Sequence, residues 1–194
     1  MNLLHDLGYE PDDLMVKVSE MLVATSDASD ELIDESVPEV LRLLRERMNM
    51  DVVFVSEFTD GQRVFRHVAV SPGHQGITAG DTDPLEETWC QRVVDGRLPH
   101  YIADASQFPA SAVLSKKLPF PIGTHISAPF VLKSGQVYGT LCCFSFSPLN
   151  ESNPADLKKL QYTAQLTADK IDKIDRGRSA EAAATSPTRA LLSR

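Results

Sequence analysis

The stretch Gly123–Ser145, GTHISAPFVLKSGQVYGTLCCFS, decides how the rest of the chain is read. Two runs rich in β-branched and aromatic residues, Thr124–Leu132 and Gln136–Ser147, flank the polar turn Lys133-Ser134-Gly135. That composition around a glycine-containing turn predicts an antiparallel hairpin. Strand side chains alternate between faces, so His125, Ser127 and Pro129 share one face of the first run. Cys142, Phe144 and Phe146 share one face of the second. Adjacent Cys142 and Cys143 then point to opposite faces and do not pair as a disulfide.

Working outward, a second hairpin lies upstream: Asp51–Thr59, the turn Asp60-Gly61-Gln62, and Arg63–Ser71. Alternation puts Phe54 and Ser56 on one face and Val53, Val55 and Glu57 on the other. Between the hairpins lie a glycine-rich loop (SPGHQGITAGD), a helix over Asp83–Gly96 and a short strand at His100–Asp104. Asp83 is the expected cap of that helix, Pro84 its first turn and Gly96 its stop. A long crossover follows, with one helix from Pro109 to Lys117. Two helices precede the first hairpin. Pro11–Ala24 places Leu14, Val18, Met21 and Leu22 at helical spacing. Glu35–Asn49 carries capping-box spacing at Ser36 and Glu39 with Pro38 in an early turn or at a kink, and an apolar stripe of Val40, Leu43, Leu44 and Met48. After the last strand, Asn153–Ile174 reads as a long helix with a seam of Leu157, Leu160, Ala164, Leu166, Ile171 and Ile174. The alanine-rich tail from Arg178 reads as disordered or loosely helical. Hairpins flanked by helices define an α+β layout: an antiparallel sheet, terminal helices on one face, crossover segments over the other.

Composition narrows the function. With 194 residues, 42% hydrophobic and 24% charged, the chain has enough apolar residues for a core. A net charge of −8 offers no basic stripe for nucleic acid. No apolar run approaches the ~18 residues of a membrane span, and the first residues lack the pattern of a secretory leader. The expectation is a cytoplasmic protein whose three cysteines, Cys90, Cys142 and Cys143, are reduced thiols.

The order of elements, together with several phrases, resembles the GAF domain family. The phrase GTHISAPFVLKSGQVYGTLCCFS is similar to that family's late hairpin, with its proline-containing step and its "yGtL" strand. VLRLLRERMNMDVVFVSEF resembles the entry helix running into the first strand, and PLEETWCQRVVDGRLPHYIADA resembles the middle helix and strand of bacterial members. The resemblance implies a GAF-like (profilin-like) antiparallel sheet of five to six strands, with terminal helices on one face and a roofed ligand pocket on the other. It divides the chain into an N-terminal helical extension (1–28), the GAF domain (29–177) and a flexible C-terminal tail (178–194). It also implies a homodimer through the terminal helices, in keeping with their apolar stripes.

The chemistries of that family are tested against the residues. Bilin attachment asks for a cysteine beside a histidine in the crossover, and SAVLSKKLPFPIG has none. In free methionine sulfoxide reduction, the position of the reactive cysteine falls around Leu118, and the pocket acids fall near His125, Cys142 and Phe144. A thiol without an activating neighbour is a weak nucleophile, so this redox enzyme is disfavoured. The five histidines (His5, His67, His74, His100, His125) show no metal-ligand spacing. The "NKFDE"-like cyclic-nucleotide signature is absent, and the glycine-rich loop is not a P-loop. The expectation is a non-catalytic sensory or regulatory module of bacterial signal transduction. It binds an unidentified small molecule and acts through a dimer or a separate output protein. The alternatives are a displaced-cysteine redox enzyme and a structural module with a closed pocket.

By alternation and by resemblance, the candidate ligand-binding residues are Phe54, Ser56, Trp89, Cys90, Tyr101 and Phe108, with Leu114, His125, Ser127, Cys142 and Phe144. No catalytic residue, metal ligand or particular cofactor is assigned. Mixed aromatic walls and a few polar groups suit a small organic ligand. Trp89 and Cys90 sit mid-helix on the roof element, with Val93 and Val94 one turn on, so they straddle its buried face.

Overall fold

The computed structural model describes residues 36–74, 76–115, 118–149 and 155–185. The helix expected at Pro11–Ala24 lies outside them. The described chain opens with helix α1 (Ser36–Arg47), followed by strands β1 (Val52–Thr59), β2 (Gln62–Val70) and β3 (Thr82–Pro84). Helix α2 (Trp89–Val94), strand β4 (Tyr101–Ile102) and helix α3 (Pro109–Ser115) lead to the hairpin β5 (His125–Val131) and β6 (Val137–Phe144). Helix α4 (Ala155–Thr185) closes the order.

The six strands form one sheet in the order β3-β2-β1-β6-β5-β4, with every neighbouring pair antiparallel. Both hairpins form as their turn chemistry requires. Asp60 and Gly61 both take positive φ, 51° and 71°, the geometry whose twist matches the flanking strands. The hairpins join through β1 and β6, which pair from Val52↔Phe144 to Glu57↔Gly139. At Gly139 the backbones approach so closely that a Cβ would lie 2.0 Å from the Ser56 carbonyl oxygen, so only glycine fits.

Alternation along these strands creates two cores. One face carries Val53, Val55, Ile126, Phe130, Leu141 and Cys143 against α1 and α4. From α1, Leu41, Leu44 and Met48 turn inward. Leu43, expected on the apolar stripe, is 37% exposed, because the inward row runs through Leu41, Leu44 and Met48 instead. On α4 the inward residues are Leu160, Ala164, Ala168 and Ile171. Buried Thr163 and Thr167 donate to the carbonyls of Lys159 and Thr163, at 3.0 and 2.8 Å, so no hydroxyl there is left unsatisfied. The helix runs on through Thr185, past Arg178 where the sequence reading began a tail.

The other face carries Val52, Phe54, Phe65, Cys142 and Phe144, covered by α2, α3 and the connecting loops. Here the local structure departs from the expected helix over Asp83–Gly96. Thr82–Pro84 pairs with β2 as an edge strand, Leu85–Glu87 makes a single 3₁₀ turn, and the chain extends at Thr88. Thr88 then caps α2, its hydroxyl accepting from the Gln91 amide at 3.1 Å. Asp83 is therefore free to serve the site instead of capping. Gly96, with φ 77°, ends α2 as expected.

Candidate functional site

The second face of the sheet is not filled. A cavity of about 320 Å³ opens between β1, β2 and β6 below and the loops around residues 76–83 and 118–122 above. Its aromatic walls are Phe54, Phe65, Trp89, Phe120 and Phe144. Phe54 meets Phe65 edge-on at 4.9 Å, and Phe120 stacks on Phe144 at 5.5 Å and 11°. These contacts leave the rings in fixed geometries.

The polar wall centres on Arg63. Its guanidinium lies over the Phe65 ring, 4.2 Å from the centroid, and pairs with the Asp83 carboxylate. Its Nη1 lies 3.6 Å from the Cys90 sulfur. Burial alone would weaken the charge, yet the Cys90 sulfur and Asp83 outweigh it and hold the pKa above the usual arginine value. His125 packs against Trp89 at 5.1 Å between ring centroids. Burial, then the nearby Arg63 charge and His100, push its pKa down to about 3, so the ring is neutral at neutral pH. Arg63 Nε, Trp89 Nε1 and His125 Nδ1 are buried without a hydrogen-bond partner. All three belong to residues that line the cavity. Buried polar atoms in native proteins are normally satisfied. The two further unpartnered buried atoms among the described residues, Arg45 Nε and Arg92 Nε, belong to residues that do not line the cavity.

Behind the Arg63 wall is a buried polar chain. The Cys90 and Cys142 sulfurs are 3.6 Å apart. Cys142 Sγ lies 3.0 Å from the Ser127 hydroxyl and 3.3 Å from that of Thr140, and Thr140 Oγ1 lies 2.8 Å from Ser56 Oγ. The contact with Cys142 and the Arg63 charge draw the Cys90 thiol below its ordinary range, against burial. Burial, and then Cys90, push Cys142 above it.

Of the residues named from sequence, Phe54, Trp89, His125 and Phe144 line the cavity. Ser56, Cys90, Ser127 and Cys142 meet one another in the chain behind it, and Leu114 is buried in the same core. Two lie elsewhere. Tyr101 packs against the helix-side core, because its partner Ile126 faces that way. Phe108 is 37% exposed at the end of a 3₁₀ turn. Sequence reasoning missed Arg63, Phe65 and Asp83. The register Ser56↔Phe65 places Phe65, and Arg63 two residues before it, on the Ser56 face, a pattern legible from the hairpin turn. The cavity-lining Ile77, Asp81 and Phe120 come from loops whose sequence carries no periodic signal.

A six-stranded antiparallel sheet with helices on one face and a loop-roofed cavity on the other defines an α+β fold class. A family model described as GAF domain matches residues 31–172, and the chain belongs to the GAF domain family. Solved structures agree on the fold. The GAF domain of an Acinetobacter phosphoenolpyruvate-protein phosphotransferase superposes with a TM-score of 0.58 at 14% identity, covering 91% of this chain and 99% of that one. The phycocyanobilin-bound GAF domain of a cyanobacterial phytochrome gives 0.63 at 12% identity, covering 87% and 98%. The Thermosynechococcus elongatus PixJ GAF domain, in its blue-light absorbing form, gives 0.59 at 14%, covering 89% and 95%. No curated protein matches the chain. Among the described residues, no three His, Cys, Asp or Glu side chains converge as a metal site. No described helix is long and apolar enough to cross a membrane.

Proposed function

We propose that the chain is a non-catalytic sensory or regulatory module of bacterial signal transduction, cytoplasmic, that binds a small organic molecule in the cavity of the second sheet face. The observation that carries this reading is the set of unpartnered polar groups on Arg63, Trp89 and His125 around an aromatic-walled space of about 320 Å³. A ligand with an apolar, ring-sized body and at least one hydrogen-bond acceptor would satisfy the donors of Arg63 and Trp89 and fill the space between the rings. An open cavity argues against the structural module with a closed pocket. No cysteine lines the cavity, which argues against a bilin held by a thioether and against a nucleophile working on a bound substrate. Similar GAF domains include one that holds phycocyanobilin, so ligand binding has a precedent in the fold. Signalling through a homodimer of terminal helices, or through a separate output protein, completes the proposal. Leu43, exposed on α1, supports it.

The test is native mass spectrometry of the freshly purified full chain beside an Ile77→Trp variant, in which the indole fills the cavity mouth. Ile77 lines the cavity and is half-buried, so the exchange occupies space without opening the sheet. An adduct of small-molecule mass on the wild type, reduced on the variant, supports the reading. Equal adducts on both proteins count against it.

A further inference from the structure

We propose that Cys90 and Cys142 form an oxidation site: a small hydroperoxide converts the two thiols into an intramolecular disulfide that staples α2, the roof of the cavity, to β6 in the centre of the sheet. The inference is independent of which ligand the cavity holds.

The placement is specific. Cys90 comes from the roof helix and Cys142 from a central strand, yet their sulfurs are in contact at 3.6 Å. A disulfide needs about 2.05 Å, so the sulfurs must approach by roughly 1.5 Å. The six-residue α2 is bounded by the extended Thr88 and the left-handed Gly96, so a small shift of this element does not strain the sheet. Cys143 is the internal contrast. It sits one residue along β6, on the helix-side face, away from the Cys90–Cys142 contact.

The surroundings assign the two sulfurs different tasks. Arg63 Nη1, 3.6 Å away, stabilises negative charge on Cys90. The hydroxyls of Ser127 and Thr140 flank Cys142 and keep it aligned with Cys90. The Cys90 thiolate attacks one oxygen of the hydroperoxide. The O–O bond breaks, the other oxygen leaves as the alcohol or water with a proton, and Cys90 becomes a sulfenic acid. Cys142 sulfur then attacks Cys90 sulfur, and the S–O bond breaks. The leaving oxygen takes the Cys142 proton and departs as water. Two thiols and one hydroperoxide thus give one disulfide, one alcohol or water, and one further water. Arg63 both lines the cavity and touches Cys90, so a molecule as small as hydrogen peroxide has a route to the sulfur past that one side chain. Bulkier oxidants are excluded, because both sulfurs are fully buried.

The experiment treats the folded full chain with hydrogen peroxide, quenches with acid, and maps peptides without reduction. The expected result is a loss of two hydrogens in the intact mass and a cross-linked peptide pair joining Cys90 to Cys142, both reversed by a phosphine reductant. A Cys143→Ser variant should cross-link as the wild type does, and Cys90→Ser or Cys142→Ser should abolish the cross-link. The wild-type map decides even where a variant fails to fold. An unchanged mass, oxygen addition without a cross-link, or a bridge through Cys143 or between chains overturns the proposal.

Discussion

The buried His125 makes the folding stability of this protein depend on pH in a way that isolates one residue. The side chain is 2% exposed and its pKa is pushed down to about 3 in the fold, against an ordinary value of 6.5. The depressed value means that the unfolded chain binds this proton more readily than the native one. Stability is therefore fully present above pH 6.5 and is lost as pH falls from there toward 3. For one such group, lowering the pH from 7.5 to 5 removes about 2 kcal/mol. Carboxylates with lowered pKa values, such as Asp95 and Asp104, act below this window and blur it little. The assay is urea unfolding followed by circular dichroism at pH 7.5, 6.5 and 5, on the wild type and on His125→Phe, which keeps a ring beside Trp89 but does not titrate. Subtracting the two profiles cancels every other group. The wild type should lose about 2 kcal/mol more than the variant across the interval. Parallel profiles would refute the reasoning, and would mean that His125 gains a partner or water when protonated.

Three further outcomes follow from the packing. Gly139→Ala places a Cβ against the Ser56 carbonyl and should cost more than about 3 kcal/mol or prevent folding, as read by urea midpoint and soluble yield. Phe130→Ala empties a fully buried site under α4 and should cost about 3–5 kcal/mol in the same assay. Ser56→Ala and Thr140→Val each leave the other hydroxyl without its 2.8 Å partner and should cost about 1–3 kcal/mol, while the double variant should cost clearly less than the sum.

The fold was legible because its decisive signals are local. The turns at Asp60-Gly61 and Lys133-Ser134-Gly135 declare two hairpins, and alternation within them sorts Phe54 from Val53 and Cys142 from Cys143 onto the correct faces. Pairing between β1 and β6 is long-range, but it follows once both hairpins must bury one face under helices. The middle of the chain was less legible. A short run of acids after Asp83-Pro84 reads as a helix start, yet β2 offers an unpaired edge and captures Thr82–Pro84, moving the cap to Thr88. That edge pairing also brings Asp83 to Arg63, which no pattern in the local sequence announces. Tyr101 was misplaced because a two-residue strand gives alternation too little length to act on. The loop residues Ile77, Asp81 and Phe120 reach the cavity through tertiary packing alone.

The central claim is that the cavity is a small-molecule site, and a thermal-shift screen of nucleotides, amino acids and tetrapyrroles on wild type and Ile77→Trp tests it most directly. A true ligand at about one hundred times its Kd adds about 2.7 kcal/mol, which corresponds to a Tm rise of roughly 5–10 °C. The account predicts at least one compound that gives such a rise on the wild type and little or none on the variant. A screen that is blank on the wild type, or shifts of equal size on both proteins, would contradict it.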